Sequence, residues 1–393
     1  MRDATASVHH PVIDESGYAS LSVPTHRAST IVFPDAESYA TRGSRDLDGF
    51  SYGLHGTPTQ RVLEAQLTQL ENGQRTVLLP SGQAAIAVVF LSVLMPGDHV
   101  LVPDTAYPPV IGFCRNYLEP RGIGWSVYPP GIAAGIDDHI RAQTKLIWME
   151  SPGSTTMEME DVPAITGIAR AKGILTGIDN TWATPLLFKP LDHGVDFSMQ
   201  ALTKYPGGHS DLLMGSVSVL DLALRKRLRD TMRMLGLGIA PDAVQLVLRG
   251  IETMAIRIAH VGKVAHEITT KLEARGVGEV LYPALASSPG HAIWKRDFSG
   301  ASGVFSVVLP RRAEPRLDAA LNGLRYFSIG ASWGGTRSLI APMSIKLSRT
   351  FEHTRNERVI LRVNIGLEHP DDLREDLAIF FDTLLNEAVA RTA

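Results

Sequence analysis

The chain has 393 residues, more than a single hydrophobic core usually serves, so we predict two packed domains. Its 38 Lys and Arg residues oppose 41 Asp and Glu residues, giving a formal net charge of −3 without the long basic run typical of a nucleic-acid surface. The single cysteine, Cys114, excludes an internal disulfide and a cysteine-rich metal site, and it favours a reducing compartment such as the cytoplasm.

The sequence contains no segment that we interpret as an export signal or a membrane anchor. The first residues are polar and lack the apolar core of a signal peptide. Residues 84–95 are apolar, but this stretch is shorter than a membrane span and ends at Pro96. We therefore expect a cytoplasmic protein with no membrane and no nucleic-acid partner.

The amino-terminal part differs in pattern from the rest of the chain. Residues 1–52 lack sustained periodicity and contain scattered prolines, so we predict an extended N-terminal arm that lies on another surface. From Thr59, apolar side chains recur near helical spacing until Asn72-Gly73, which predicts an amphipathic helix.

Short apolar runs then alternate with helical patterns, which is the rhythm of a mostly parallel sheet. We predict a large α/β domain over 53–247, with strands at 76–79, 99–102, 145–149, 174–178 and 216–220 and a helix over 84–94. Side chains just after the carboxyl ends of such strands form the ligand crevice of open α/β sheets.

The carboxyl-terminal part predicts a smaller α+β domain over 248–393. A long helical pattern begins near Pro241 and runs toward Leu272, and we expect it to link the two domains. Residues 303–309 and 359–363 are predicted strands, and a helix over 372–385 closes the chain.

Two short motifs follow predicted strands and could bind a cofactor. Ser81-Gly82-Gln83 precedes a helix, and helix amino termini attract phosphate, although simple N-capping by Ser81 is the alternative. Asp179 ends another strand, where a carboxylate could pair with a protonated pyridine nitrogen; capping of the next turn is the alternative.

The third motif is Thr203-Lys204-Tyr205-Pro206-Gly207-Gly208, in which a lysine precedes a tight glycine turn. A lysine held there could form a Schiff base if burial or its neighbours lower its pKa. Most lysines are merely solvated, but the three motifs in this order, at βαβ separations, favour a pyridoxal-phosphate site.

Over nearly its whole length the chain resembles the trans-sulfuration (Cys/Met metabolism) family of fold type I pyridoxal-phosphate enzymes. Trp182 and the run Ser332-Trp333-Gly334-Gly335 are most similar to the cystathionine β-lyase branch. The other matching segments are 52–53 with 56–59, 80–82, 104–107, 179–182, 203–205 and 361–368.

The resemblance implies a fold type I transferase-like architecture, pyridoxal 5′-phosphate as cofactor and β-elimination on cystathionine, giving homocysteine, pyruvate and ammonia. A γ-eliminating or γ-replacing relative, such as methionine γ-lyase, cystathionine γ-lyase or γ-synthase, stays open, as does a noncatalytic cofactor-binding protein. The 13 histidines form no HExxH-type pair, so we expect no metal.

The resemblance also assigns the cofactor contacts. Lys204 would carry the cofactor, Asp179 would contact the pyridine nitrogen and Tyr107 would stack on the ring, with packing beside two prolines as its alternative. Tyr52 would reach the active site of a neighbouring subunit in a homotetramer, and Lys204, Tyr107 and Tyr52 are the implied catalytic residues. The residues implied to meet the phosphate are Gly82, Gln83 and Thr203.

For the substrate, a sulfur amino acid, the resemblance assigns Arg362 to the α-carboxylate, since a planar guanidinium binds two oxygens at once. A surface salt bridge is the alternative. Ser332 and Trp333 would border the same pocket, although Trp333 could also be a core residue.

Three residues depart from the pattern of the family and put the substrate in question. Leu54 stands where many relatives place an arginine that contacts phosphate, and the adjacent His55 could supply part of the missing charge. Ala201 replaces a hydroxyl residue, and Ala331 stands where β-lyase-like sequences can carry a tyrosine.

Overall fold

A computed structural model describes residues 16–44, 48–346, 348–351, 355 and 357–385. Its larger sheet has seven strands. They are β1 (Arg75–Leu79), β2 (His99–Pro103), β3 (Gly124–Tyr128), β4 (Thr144–Glu150), β5 (Leu175–Asp179), β6 (Phe197–Ala201) and β7 (Gly215–Val219). Their order in the sheet is β1-β7-β6-β5-β4-β2-β3. Strand β7 runs antiparallel to both neighbours, and the pairs from β6 through β3 are parallel.

The smaller sheet belongs to the carboxyl-terminal part and has five strands. They are β8 (Glu279–Leu281), β9 (Val304–Val308), β10 (Ser328–Ile329), β11 (Leu339–Met343) and β12 (Ile360–Asn364). Their order in the sheet is β10-β11-β12-β9-β8, and only the edge pair β10–β11 is parallel.

Helices cover both sheets. In chain order, the described residues form α1 (Ala36–Ala40), α2 (Pro58–Leu70), α3 (Gly82–Val93), α4 (Pro108–Phe113), α5 (Val162–Ala171), α6 (Thr184–Leu187), α7 (Leu222–Met234), α8 (Pro241–Arg275), α9 (His291–Asp297), α10 (Leu317–Asn322) and α11 (Pro370–Leu385). Among these residues, no helix combines the length and the apolar character that crossing a bilayer requires.

Of the predicted arm, 1–52, the structure describes 16–44 and 48–52. The part over 16–44 is mostly exposed, but it contains helix α1, which the sequence analysis did not predict. This helix is five residues long and its amino end is capped by Asp35, whose side chain accepts the amide hydrogen of Ser38 at 2.7 Å. A local side-chain cap explains a helix that has no buried residue.

Helix α8 is 35 residues long and confirms the long helix predicted from Pro241. Pro241 suits the first helical turn, and Gly276 ends the helix with a positive φ of 71°. Val247 of its first half packs in a cluster with α2, whereas Ile258 belongs to the core that includes the smaller sheet. The predicted domain boundary at 247/248 falls inside this helix and stays a prediction.

The carboxyl ends of the central parallel strands meet on one side of the larger sheet. Glu150 ends β4 and lies in register with Asp179, which ends β5. Ala201 ends the neighbouring β6, and the chain then turns through Thr203 and Lys204. Backbone topology therefore collects residues from distant parts of the sequence at one edge.

Candidate active site

A cavity of about 270 Å³ opens at these strand ends. It is lined by most of the residues predicted to bind cofactor or substrate. Ser332 does not line the cavity itself, but its hydroxyl accepts a hydrogen bond from the lining residue Lys204 at 2.8 Å. Tyr52 lies outside the cavity. The predicted residues that line it are Gly82, Gln83, Tyr107, Asp179, Thr203, Lys204, Trp333 and Arg362.

Lys204 is held in a position that favours its neutral amine. Its Nζ donates a hydrogen bond to Ser332 Oγ at 2.8 Å and lies 5.2 Å from the centre of the Trp333 ring. Burial lowers the pKa of Lys204 to about 8, with a further lowering by the positive Arg362 and an opposing effect of Asp179. A lysine with this pKa supplies a nucleophilic amine near neutral pH far more readily than an exposed one.

The turn that carries Lys204 is fixed from two sides. Arg257 of α8 donates from Nη2 to the carbonyl of Tyr205 at 2.8 Å, and the Tyr205 hydroxyl accepts the amide hydrogen of Gly303 at 2.9 Å. Gly334 packs directly on the turn: a Cβ added there would lie 3.1 Å from Lys204 Cα, and its φ is +84°. Glycine is required at this position for both reasons.

Asp179 is a half-buried carboxylate in the same cavity. Its Oδ1 accepts hydrogen bonds from the amide of Thr181 at 2.9 Å and from the Thr181 hydroxyl. Burial raises the pKa of Asp179, whereas the two Thr181 bonds and the charge of Lys204 oppose this rise. Its Oδ2 has no hydrogen bond to the described residues, so one oxygen remains to meet a ligand.

Glu150 is a residue of the cavity that the sequence analysis missed. Its Oε2 accepts the amide hydrogen of Tyr107 at 2.6 Å, which anchors the backbone of Tyr107 to the end of β4. Burial and the adjacent Asp179 raise the pKa of Glu150 well above its ordinary value. Glu150 directly follows the predicted strand 145–149, just as Asp179 follows the predicted strand 174–178. This shared position after a strand could have identified Glu150 as a site residue from the sequence.

The amino terminus of α3 closes one end of the cavity. Ser81 Oγ accepts the amide hydrogen of Ala84 at 3.0 Å, so the N-capping interpretation of Ser81 is correct. The amides of Gly82 and Gln83 lie in the first turn and have no hydrogen-bond partner within the helix. A Cβ added to Gly82 would lie 2.8 Å from Ala201 Cβ. The close approach of α3 to β6 therefore leaves a narrow amide-lined end to the cavity.

Thr203 borders this end, but its hydroxyl is already used. It donates to the Met214 carbonyl at 3.2 Å and accepts the Met214 amide hydrogen at 3.1 Å. The side chain thereby ties the Lys204 turn to the chain just before β7.

Arg362 and Trp333 come from the carboxyl-terminal part of the chain, which forms the smaller sheet. Arg362 on β12 is 8% exposed and donates from Nη2 to the Ala331 carbonyl. Burial lowers its pKa, opposed by Tyr107 and Glu150. Trp333 is half-buried and packs on Tyr205 with ring centroids 5.6 Å apart, so it both packs and faces the cavity.

Tyr52 lies elsewhere in the chain. It is 49% exposed and lines a second cavity together with Leu54 and His55. A single subunit does not bring it to Lys204, and its contact with a neighbouring subunit stays a prediction.

The cavity fits pyridoxal phosphate on the chemistry of its donor set. A lysine of lowered pKa, a strand-end carboxylate and a helix amino terminus provide an amine, a partner for the pyridine nitrogen and amides for a phosphate. The ring of Tyr107 lines the same space.

Comparison with known proteins gives independent matches over most of the chain. Residues 4–382 match the sequence model of the family described as Cys/Met metabolism PLP-dependent enzyme. A putative cystathionine beta-lyase of Rhizobium johnstonii is 42% identical over 91% of this chain and 90% of the relative. Cystathionine beta-lyase MetC of Escherichia coli is 39% identical over 89% of this chain and 91% of the relative.

Two further similar proteins are described as enzymes with other activities. An L-alanine/L-glutamate racemase of Wolbachia pipientis is 37% identical over 91% of both chains. The crystal structure of cystathionine gamma synthase from Xanthomonas oryzae pv. oryzae in complex with cystathionine superposes with a TM-score of 0.86, at 30% identity, over 95% of this chain and 96% of that chain.

Proposed function

The chain belongs to the Cys/Met metabolism PLP-dependent enzyme family, and we propose that within this family it is a carbon–sulfur lyase acting on cystathionine. The reaction is a β-elimination that gives homocysteine, pyruvate and ammonia. The observation that carries the proposal is the convergence of Lys204, Asp179 and Arg362 in one cavity. We assign the enzyme to the cytoplasm.

Each of these side chains has a distinct task in the proposed reaction. Pyridoxal phosphate, when bound through Lys204, withdraws the charge that develops at the substrate Cα. Asp179, oriented by Thr181, holds the proton on the pyridine nitrogen. Tyr107 lies against the ring, and the amides of Gly82 and Gln83 bind the phosphate. The predicted phosphate contact of Thr203 is not part of this proposal, because its hydroxyl and its amide both donate to the Met214 carbonyl.

Arg362 binds the substrate α-carboxylate, and Ser332 and Trp333 border the bound substrate. The freed Lys204 removes the Cα proton and then donates a proton to the departing sulfur as a general acid. Ser332 accepts a hydrogen bond from this amine at 2.8 Å, so it is placed to orient the lysine between the two proton transfers. Tyr52 reaches the cavity of a neighbouring subunit in a homotetramer.

Product analysis tests the proposal. The purified holoenzyme is incubated with cystathionine, cystine and methionine, and the keto acids are identified, with Lys204→Ala as the inactive control. Pyruvate from cystathionine reports β-elimination. Formation of 2-oxobutyrate would instead assign a γ-eliminating enzyme, and visible cofactor absorption without any keto acid would assign a noncatalytic cofactor-binding protein.

A second candidate is amino-acid racemisation, which is the activity in the description of the Wolbachia relative. A two-base racemisation uses one group on each face of Cα to exchange a proton, and Lys204 and Tyr107 both line the cavity. Incubation with L-alanine in heavy water, followed by chiral separation, tests it. Formation of D-alanine labelled at Cα, without pyruvate from cystathionine, would favour the racemase over the lyase.

A further inference from the structure

The second cavity, of about 230 Å³, is strongly basic. Arg42, His55, Arg229 and Arg233 line it beside Tyr52, and none of its described lining residues is acidic. A cavity with several cations and no carboxylate attracts an anion, because the charges repel one another until a counter-charge arrives.

Two of these guanidinium groups are engaged within the chain. Arg42 donates from Nη1 to the Tyr39 carbonyl at 2.9 Å, and its Cζ lies 4.0 Å from the centre of the Tyr39 ring. Arg229 donates from Nη2 to the His55 carbonyl at 2.8 Å and lies 3.5 Å from Glu64. Both therefore hold local structure.

Arg233 differs from them. It lies near the end of α7 and is exposed, and its side chain makes no hydrogen bond or ion pair with the part of the chain that the structure describes. Its positive charge is felt inside the cavity, where it contributes to lowering the pKa of His55. Arg233 is thus the cation of this cavity that is available to a ligand.

His55 does not supply the charge that the sequence analysis suggested. Its Nδ1 is hydrogen-bonded to Ser51 Oγ at 2.9 Å. Burial lowers the pKa of His55, and the neighbouring Arg233 and Arg229 lower it further, so the imidazole is neutral at neutral pH. The adjacent Leu54 is apolar, and a Cβ added to Gly238 would lie 2.8 Å from its Cδ1.

The phosphate end of the active-site cavity, in contrast, lacks a positively charged side chain among the residues described there. This end is formed by neutral groups, and the cations among the described lining residues of the cavity are Lys204 and Arg362. The proposed function uses Lys204 for the cofactor aldehyde and Arg362 for the substrate carboxylate. A phosphate dianion at this end therefore receives amide hydrogen bonds but no side-chain charge from its own subunit.

We propose that Arg233 enters the active site of a neighbouring subunit and binds the phosphate group of the cofactor. This inference rests on the proposed function, in which Tyr52 of the same basic cavity reaches that site. A planar guanidinium binds two phosphate oxygens at once and stays charged at every physiological pH. Arg233 thereby supplies the charge that Leu54 and neutral His55 do not.

Cofactor affinity tests the inference independently of turnover. Apoenzyme is titrated with pyridoxal phosphate and the dissociation constant is read from visible absorption. We expect Arg233→Ala to weaken binding about tenfold or more. Arg227→Ala removes an exposed arginine of the same helix that does not line the cavity, and we expect its affinity to be unchanged. Arg233→Lys should fall between wild type and Arg233→Ala.

Hybrid oligomers test whether the contact crosses subunits. Lys204→Ala and Arg233→Ala subunits are co-expressed with different tags, and hybrids are purified. If Arg233 acts across the interface, the Arg233→Ala subunit regains one site with both residues intact and binds cofactor with wild-type affinity. If it acts within its own subunit, no site in the hybrid has both residues, and the cross-subunit contact is rejected.

Three other results would overturn the assignment to phosphate. Unchanged cofactor affinity in Arg233→Ala would exclude the contact, and equal losses in Arg233→Lys and Arg233→Ala would indicate packing and not charge. A raised KM for cystathionine, but not for S-methylcysteine, at unchanged cofactor affinity would assign Arg233 to the second carboxylate of the substrate. Failure of the proposed lyase reaction appears separately, as absent keto acid from a wild-type enzyme that binds cofactor normally.

Discussion

Replacing Arg362 by alanine tests the substrate-binding part of the site. The guanidinium lies on β12, is 8% exposed and uses Nη2 for the Ala331 carbonyl. It makes no other hydrogen bond with the described residues, so its remaining N–H groups are available to two oxygens of an α-carboxylate. Alanine removes this interaction together with a side chain that is itself largely buried in the wall of the cavity.

The expected loss follows from this geometry. A hydrogen bond to a charged group contributes about 1.5–3 kcal/mol. That range corresponds to a decrease in kcat/KM of roughly 10- to 150-fold. Because the carboxylate is bound equally in the ground and transition states, we expect the loss mainly as a higher KM with kcat little changed.

Initial rates of pyruvate formation from cystathionine measure the effect. Arg358→Ala is a matched control, since Arg358 donates from Nε to the Leu309 carbonyl at 2.9 Å and does not line the cavity. An unchanged kcat/KM in Arg362→Ala would refute the carboxylate contact. A loss confined to kcat would rule out the ground-state binding role.

The same variant has a second signature. Arg362 contributes to lowering the pKa of Lys204 to about 8. Removing its positive charge favours the ammonium form, so the Lys204 pKa should rise. The pH midpoint for reconstitution of the apoenzyme with cofactor should rise with it. An unchanged midpoint would show that the charge of Arg362 does not affect the pKa of Lys204.

Three further predictions concern Lys204 and Asp179. Lys204→Ala should abolish turnover and the absorption band of the lysine-bound cofactor while far-UV circular dichroism stays unchanged; normal activity would end the assignment. In the wild type, attachment of the cofactor needs the neutral amine, so the reconstitution rate should rise with pH through a midpoint of about 8, and a midpoint near the ordinary 10.5 would contradict a buried lysine. Thr181→Val removes a hydrogen bond that lowers the pKa of Asp179, so the pKa of Asp179 should rise. Ionised Asp179 is then lost at a higher pH, and the acid limb of the kcat–pH profile should move to higher pH. An acid limb at the wild-type pH would reject this role for Thr181.

Local residue patterns predicted an α/β fold with a mostly parallel sheet. The family resemblance supplied the fold type, the cofactor and most of the assigned site residues, and the majority of these residues line one cavity. The predicted fold type I architecture and the pyridoxal-phosphate cofactor are confirmed by the family and by the solved neighbours. The central strands β4 and β5 were predictable because strands buried on both faces read as continuous apolar runs. The edge strands β3, β8 and β10 escaped prediction, since they are short or only partly buried. The interior strands β6 and β11 were also not predicted, because Ser198 and Gln200 interrupt the apolar run of β6 and Pro342 interrupts that of β11.

How the predicted residues act depends on contacts that form when the chain folds. The pKa of Lys204 depends on burial and on Arg362, which is far away along the chain. The anchoring of Tyr107 by Glu150, and the packing of Gly334 on the Lys204 turn, likewise join distant segments. Motifs specify residue types at local spacing, whereas proton affinity and close approach depend on distances that exist only in the folded state.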